Sequence, residues 1–329
     1  MKIMDTNDEW IVKRTGVSQR HLCAPGVGAS DLAVEAGRTA MDDAGISPSQ
    51  VDLLVTATMT PDEFVPGIAP TVQHALGLGT VGAYDIRQQC SGFLYGLDIA
   101  DAAIVSGRAT NVLVIGAESH AGYLPFGDSW EILRGERDDE PDPADYERAT
   151  AGRAWSVLFG DGAGALVLQG QPDAPGVLGS QLNTDGTLAD LIRVKAAGFK
   201  HQPWLDAAQI AADMHLPTFN GLELFRQAAR RMPEAVRAVA ADAGVAVDDI
   251  DVVVAHQANE RILDAVRKEM KGDYELIPSN IGRYGNTTAA TLPLMFHELR
   301  EAGRIHPGAL VCFTAFGAGA HWGALLYRE

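Results

Sequence analysis

Asp85-Ile86-Arg87-Gln88-Gln89-Cys90-Ser91-Gly92-Phe93-Leu94 is the stretch that decides the reading of this chain. An apolar run with a turn signal leads into Cys90. Beyond it Phe93, Leu97, Ala100 and Ile104 recur at the spacing of a buried helix face. Cys90 therefore falls where a strand ends and a helix begins. Unpaired backbone N–H groups and the helix dipole favour negative charge at such a point, which predicts a thiol of lowered pKa and raised nucleophilicity. Taken alone, the residue fits a small, inert, buried hydrophobe equally well. The rest of the chain reverses that balance.

Upstream, the opening to about Pro25 is polar, irregular or short helix. Asp31 to Gly45 reads as a helix with Val34, Gly37, Met41 and Ala44 on one face, Val51 to Ala57 as a buried strand, and Ala69 to Leu78 as a helix stopped by Gly79. Downstream, Asn111 to Gly116 is a further strand. Asp128 to Thr150 is acidic and proline-bearing without periodicity; it reads as a solvated surface loop, with a lid or docking element as the lesser alternative. The glycine-rich run from Gly160 to Leu168 leads into an apolar strand rather than a helix, so it is not a dinucleotide fingerprint.

The pattern restarts near Pro172 to Gly179. From Pro233, taken as a first helical residue, Val236, Val239, Ala240 and Ala243 form a stripe that ends at Gly244. Asp43-Ala44-Gly45-Ile46 precedes Val51-Asp52-Leu53-Leu54-Val55-Thr56. In the same way, 199 positions on, Asp242-Ala243-Gly244-Val245 precedes Ile250-Asp251-Val252-Val253-Val254-Ala255. The late glycines echo too, Gly160 to Ala165 before one strand and Gly317 to Ala320 before another. This internal repeat predicts two similar α/β halves, 1–172 and 173–329, with mostly parallel sheets.

The 329 residues are 47% hydrophobic and 21% charged, enough for a large core. No apolar run reaches membrane-spanning length and the first residues lack a signal-peptide core, so a cytoplasmic protein with no membrane partner is expected. The net charge of −17 argues against nucleic acid. Three cysteines, Cys23, Cys90 and Cys312, without paired spacing suggest neither a disulfide framework nor a zinc site.

Polar islands interrupt the apolar pattern of the second half: His256-Gln257-Ala258-Asn259 after a strand, and Tyr284-Gly285-Asn286-Thr287-Thr288 at a turn. Ala315-Phe316-Gly317-Ala318-Gly319 offers backbone N–H groups to a ligand. A lone His or a Gly-Asn pair is ordinarily structural; the three in this order, after Cys90, are more specific.

On these motifs, with Asp8-Glu9-Trp10-Ile11-Val12, Arg14-Thr15-Gly16, Phe159-Gly160-Asp161-Gly162-Ala163-Gly164 and Trp322-Gly323, nearly the whole chain resembles β-ketoacyl-acyl carrier protein synthase III, a condensing enzyme of the thiolase superfamily. The resemblance implies a thiolase-like fold, a duplicated α-β-α-β-α five-layer arrangement, and a homodimer. It implies that Cys90 takes an acyl group from acyl-CoA as a thioester. His256 and Asn286 polarise the malonyl thioester of malonyl-acyl carrier protein and hold the enolate left when carbon dioxide departs. The N–H groups of Cys90 and Gly317 form the oxyanion hole. No metal or other cofactor is implied, and the kinetics are ping-pong. Trp10, Arg14 and Arg153 match the coenzyme A site. Arg261, Arg267 and Lys268 fall where the family docks its acyl carrier protein, although they also read as solvated helix charges.

The chain departs from the family in three places. Only seven residues precede Asp8, where the family has a strand and a glycine-bearing loop, so the first strand is expected to be absent or the start shortened. The acidic 128–150 segment is longer than usual. Glu63-Phe64-Val65-Pro66 stands where the family lines its acyl pocket and dimer contact. Two alternatives accompany the condensing reading. One is acyl transfer to an alcohol or amine without condensation. The other is a non-catalytic partner subunit, against which the intact Cys-His-Asn set argues.

Overall fold

Two four-stranded sheets, one from each half, carry the chain. The computed structural model describes residues 2–172 and 175–329. The first half runs α1 (Asp8–Thr15), α2 (Ala29–Asp43), β1 (Leu53–Ala57), α3 (Ala69–Leu76), β2 (Gly82–Ile86), α4 (Gly92–Val105), β3 (Asn111–Glu118), α5 (Ser129–Leu133), α6 (Pro143–Ser156) and β4 (Gly162–Gln169). The second runs β5 (Val177–Thr184), β6 (Ile192–Arg193), α7 (Ala207–Ala211), β7 (Thr218–Phe219), α8 (Gly221–Asp242), β8 (Val252–Ala255), α9 (Glu260–Met270), α10 (Ile281–Tyr284), α11 (Thr291–Glu301), β9 (Leu310–Gly317) and β10 (His321–Arg328). The strand orders are β2-β1-β3-β4 and β5-β10-β9-β8. The expected division after residue 172 adjoins residues 173 and 174, which lie outside the described residues.

The sequence repeat returns as a structural one. Gly45 (φ +66°) ends the turn after α2 and Gly244 (φ +68°) the turn after α8, and a short 3₁₀ turn follows each. Asp52 Oδ2 then accepts from Asn111 N–H at 2.9 Å, and Asp251 Oδ2 from Leu310 N–H at 2.7 Å. Each aspartate thus sets the start of the strand beside its own: β3 lies parallel to β1 and β9 to β8. β4 and β10 then pair antiparallel to β3 and β9. The halves differ at their rims. β1 has β2 on its outer side, where β8 donates one bond, Val253 N–H to Leu276 O (2.7 Å). β10 has β5 beyond it, whereas among the described residues β4 pairs only with β3.

The layers follow from which helices are apolar on more than one side. α2 and α3 cover the outer face of the first sheet, and α8 and α9 that of the second. Between the sheets lie α4 and α11; α4 touches β1 and β3 on one side and β9 and β10 on the other, and α11 reaches β4 and β8. The core they fill takes Val55, Phe93 and Val112 from the first half and Val254, Leu292, Phe313 and Leu325 from the second. This is the five-layer order α-β-α-β-α. Gly116 admits the second half: a side chain there would collide with the Ala289 carbonyl.

Three local expectations change. Pro233 lies inside α8 rather than at its start, because Asn220 Oδ1 already caps the helix by accepting from Glu223 N–H. α3 ends at Leu76, since Gly77 rather than Gly79 takes the left-handed cap at φ +67°. The 128–150 segment is not all loop. Asp142 Oδ1 accepts from Ala144 N–H at 2.8 Å and starts α6 with Pro143 in its first turn, so only the stretch between α5 and α6 is the solvated loop.

Candidate active site

Cys90 sits between β2 and α4, in a turn closed by Ser91 N–H donating to Gln88 O at 3.0 Å. Gln89 holds φ +47°, a conformation that non-glycine residues seldom adopt. Gly317, the last residue of β9, presses on this turn: a Cβ there would come within 3.0 Å of the Cys90 and Ser91 nitrogens. The expected helix-start location holds, but the expected acidity does not. Cys90 is only 9% exposed, and burial, with Glu118 adding to it, pushes its thiol up to about 12. The dipole of α4 is outweighed by the loss of water around the sulfur. At neutral pH Cys90 is therefore a protonated thiol.

His256 follows β8, its N–H donating to Thr314 O at 2.9 Å. It is 1% exposed, and burial lowers its pKa from 6.5 to about 3, so the ring is neutral. Nδ1 lies 2.7 Å from Thr291 Oγ1, and Nε2 has no partner among the described residues. The Thr291 hydroxyl has one proton and two acceptors in reach, His256 Nδ1 and Thr288 O at 2.9 Å. When it donates to Nδ1, the imidazole proton is on Nε2; when it donates to Thr288 O, Nδ1 keeps the proton and Nε2 presents a lone pair.

Asn286 is tied to the first half by N–H donation to Leu158 O (2.8 Å), and its carbonyl accepts from Gly160 N–H (3.2 Å). Its Oδ1 accepts from Thr288 N–H at 2.9 Å, which leaves the amide NH₂ as the free, donating end. Thr288 joins the parts. It holds Asn286, its carbonyl faces Thr291 and so His256, and it lines one cavity with Cys90. That cavity, about 230 Å³, is walled by Met59, Leu124, Trp155, Phe159 and Phe219, with His120 among them. The rest of the His256 motif is structural. Gln257 Oε1 accepts from Asn280 N–H, and Asn259 caps α9 while its amide donates to Arg14 O at 3.2 Å.

Two guanidinium groups approach the Trp10 ring, Arg14 at 4.2 Å and Arg153 at 5.1 Å from its centroid. Arg153 also donates to Asp5 Oδ2 at 2.6 Å. It comes from α6, which two residues later sends Trp155 to the cavity. Arg261 and Lys268 are exposed on α9. Arg267 is not, and its reading as a solvated docking charge is corrected: it is buried, bonded to Glu260 (2.7 Å), Asp264 (2.8 Å) and Ile277 O, over the Tyr274 ring. Burial pulls the Glu260 carboxyl up, but hydrogen bonds from Ser279, Arg267 and Tyr274 hold it below its ordinary range. Glu63 to Pro66 lies outside the cavity wall; Phe64 is 49% exposed and packs edge-on against Phe199 at 5.2 Å.

Sequence reasoning passed over Thr291, Glu118 and His120. Glu118 is buried and accepts from Met59 N–H and the Thr60 hydroxyl, fixing the loop after β1. Glu118-Ser119-His120 is a polar island after an apolar strand, the same signal that singled out His256.

Two family descriptions match this chain: 3-oxoacyl-[acyl-carrier-protein (ACP)] synthase III over residues 84–131 and 142–186, and the C terminal part of 3-oxoacyl-[ACP] synthase III over 240–329. The first match breaks at the acidic loop. A β-ketoacyl-[acyl-carrier-protein] synthase III of Erythrobacter litoralis is 42% identical over 328 residues, 99% of this chain and 92% of the relative. The crystal structure of the Aquifex aeolicus 3-oxoacyl-[acyl-carrier-protein] synthase III has a TM-score of 0.82 at 36% identity, covering 100% of this chain and 93% of that one. The priming β-ketosynthase of the R1128 polyketide biosynthetic pathway has the same TM-score at 29% identity, covering 99% and 90%. With likeness of sequence and of backbone running through both halves and the seam where Cys90, Asn286 and Thr288 meet, this chain belongs to the 3-oxoacyl-[acyl-carrier-protein] synthase III family.

Proposed function

We propose that Cys90, His256 and Asn286 perform in this chain the family's reaction, the decarboxylative condensation of an acyl-CoA with malonyl-acyl carrier protein. In the first half-reaction the Cys90 sulfur attacks the acyl-CoA carbonyl. The new C–S bond forms, the bond to coenzyme A breaks, and the thiol proton leaves on the released coenzyme A. Because burial keeps the thiol up near 12, no thiolate stands at neutral pH, and the proton must leave the sulfur as the C–S bond forms. N–H groups of Cys90 and Gly317 hold the oxyanion.

In the second half-reaction the malonyl carboxylate leaves as carbon dioxide and its bonding pair becomes the enolate. His256 is suited to this as a neutral donor. With the Thr291 hydroxyl donating to Nδ1, Nε2–H faces the oxygen where charge develops, beside the Asn286 amide. A ring held neutral down to about pH 3 stabilises the enolate without protonating it. The enolate carbon attacks the acyl-Cys90 carbonyl, the C–S bond breaks, the released Cys90 sulfur takes up a proton from water, and the ketoacyl product leaves on the carrier protein. No metal or prosthetic group enters this scheme.

Adenine of coenzyme A would stack on Trp10 once Arg153 swings off the ring and away from Asp5, with Arg14 still against the ring. Arg261 and Lys268 remain as docking charges for an acidic carrier protein on an acidic enzyme. The free outer edge of β2 and the exposed Phe64, Phe199 and Trp204 support a homodimer. The free thiols fit a reducing, cytoplasmic setting, and the net charge of −17 supports a reaction without nucleic acid.

The observation that carries the reading is the Asn286–Thr288–Thr291–His256 network beside the cavity that holds Cys90. Acyl-CoA and malonyl-carrier protein are given to the wild type and three variants, with Cys90 adducts read by mass spectrometry and released carbon dioxide measured. Cys90→Ala should form no adduct at position 90. His256→Ala and Asn286→Ala should load acyl groups yet lose condensation by about 10²-fold or more. Wild-type protein that loads but yields no carbon dioxide and no ketoacyl product would show acyl transfer without condensation. In the same assay, Arg261→Glu with Lys268→Glu should weaken only the carrier-protein step.

A further inference from the structure

His120 is a buried imidazole that the proposed reaction leaves unused. It follows β3 and is 1% exposed, and its ring stacks on Phe159 with centroids 4.7 Å apart and planes at 22°. Its N–H donates to Asp161 Oδ1 at 2.6 Å, which pins the backbone. Nδ1 lies 2.9 Å from the Gly160 carbonyl oxygen. A carbonyl can only accept, so Nδ1 carries a proton, and Asp161 Oδ1 at 3.7 Å favours the same placement. With that proton on Nδ1, Nε2 is the ring's remaining acceptor position. That atom is buried and has no partner among the described residues, on a side chain that lines the Cys90 cavity. A buried acceptor left unserved is costly, so the site is incomplete without a donor.

We propose that His120 is a specificity-determining residue, selecting a short acyl group that bears a hydroxyl which donates to Nε2. The inference rests on the reading of this cavity as the acyl site of Cys90. Most of the wall is apolar, which suits a carbon chain, and at about 230 Å³ the space is smaller than the ~300–1,000 Å³ of pockets for drug-sized ligands. Arg87 and Arg193 also reach the cavity, so a cationic donor such as an ammonium is disfavoured. A carboxylate would pair with those arginines but has no proton to donate to Nε2. A hydroxyl satisfies both conditions, since it is neutral, donates to Nε2, and can accept from Tyr123 or an arginine on the same wall.

The test is competitive loading of Cys90 from equimolar butyryl-, 3-hydroxybutyryl-, 4-hydroxybutyryl- and succinyl-CoA, read as intact-mass adducts. Wild-type protein should favour one hydroxybutyryl group over butyryl by about tenfold or more, as a site built around a hydrogen bond rejects the analogue that lacks it. His120→Phe keeps a ring against Phe159 but removes the acceptor, and should bring that ratio to near one; His120→Gln, which restores an acceptor, should recover part of it. A wild-type ratio near one, a preference for succinyl, or an unchanged ratio in His120→Phe overturns the proposal. If none of the four groups appears on Cys90, the reading of the cavity itself fails.

Discussion

At the scale of single residues, burial decides the chemistry. The sequence pointed to Cys90 as a helix-start cysteine, and it is one. Its expected acidity was wrong because a one-dimensional pattern shows where a residue lies along an element but not how deep the element sits. The same depth governs His256. Its folded pKa is about 3 against 6.5 in an unfolded chain. Between those values the unfolded ring binds a proton that the folded ring does not, so the folded state loses stability as pH falls below 6.5. From pH 6.5 to pH 5 the loss from this one residue is about 2 kcal/mol, at ~1.36 kcal/mol per pH unit with partial titration at the start. His256→Asn should remove that share. Denaturant unfolding of both proteins at pH 7 and pH 5 measures it, and equal acid sensitivity would mean that the imidazole is not held neutral by the fold. Thr291 illustrates the complementary lesson: a threonine in an apolar helix offers no signal in sequence, and only its 2.7 Å approach to Nδ1 reveals its part.

Among the elements, α9 separates charge that is offered to solvent from charge that is spent inside. Arg261, Arg267 and Lys268 look alike in sequence. They differ because Arg267 turns inward at the level of Glu260 and Tyr274, while its neighbour Lys268 faces out. Arg267→Ala should destabilise the protein by about 2 kcal/mol, since Glu260 would lose its ion-pair partner in a mostly buried site, with only Ser279 and Tyr274 left to bond it. Lys268→Ala should change stability by less than about 0.5 kcal/mol. Thermal unfolding of the two variants distinguishes them, and equal midpoints would return Arg267 to the surface. The helix that starts at Pro143 was hidden for a different reason: its apolar spacing is weak, and its signal is the Asp142–Pro143 cap within a run of acidic residues that reads as loop.

Over the whole molecule, the repeat at 43–56 and 242–255 foretold the pattern shared by β1-β3-β4 and β8-β9-β10, with the two aspartates that seed the neighbouring strands. The expected mostly parallel sheet holds only in the first half, since β10 runs antiparallel to both β9 and β5. Strand order at the rims was not legible, because a strand's outer neighbour is chosen by distant chain rather than by its own residues. The outer edge of β2 is such a rim, with Tyr84 48% exposed. If this edge joins two copies, Tyr84→Lys should shift the protein from dimer to monomer at micromolar concentration, because lysine on an open edge opposes strand addition. Sedimentation velocity reads the result, and a wild-type monomer would remove the interface.

α4 and α11 lie between the sheets, so the central core is common property: Phe93 packs in the same cluster as Phe313 and Leu325. Neither half can therefore drift in shape without carrying the other along. In the proposed reaction one half brings the nucleophile and the other the donors, so a fragment of either alone should be chemically mute until its complement returns to close the seam.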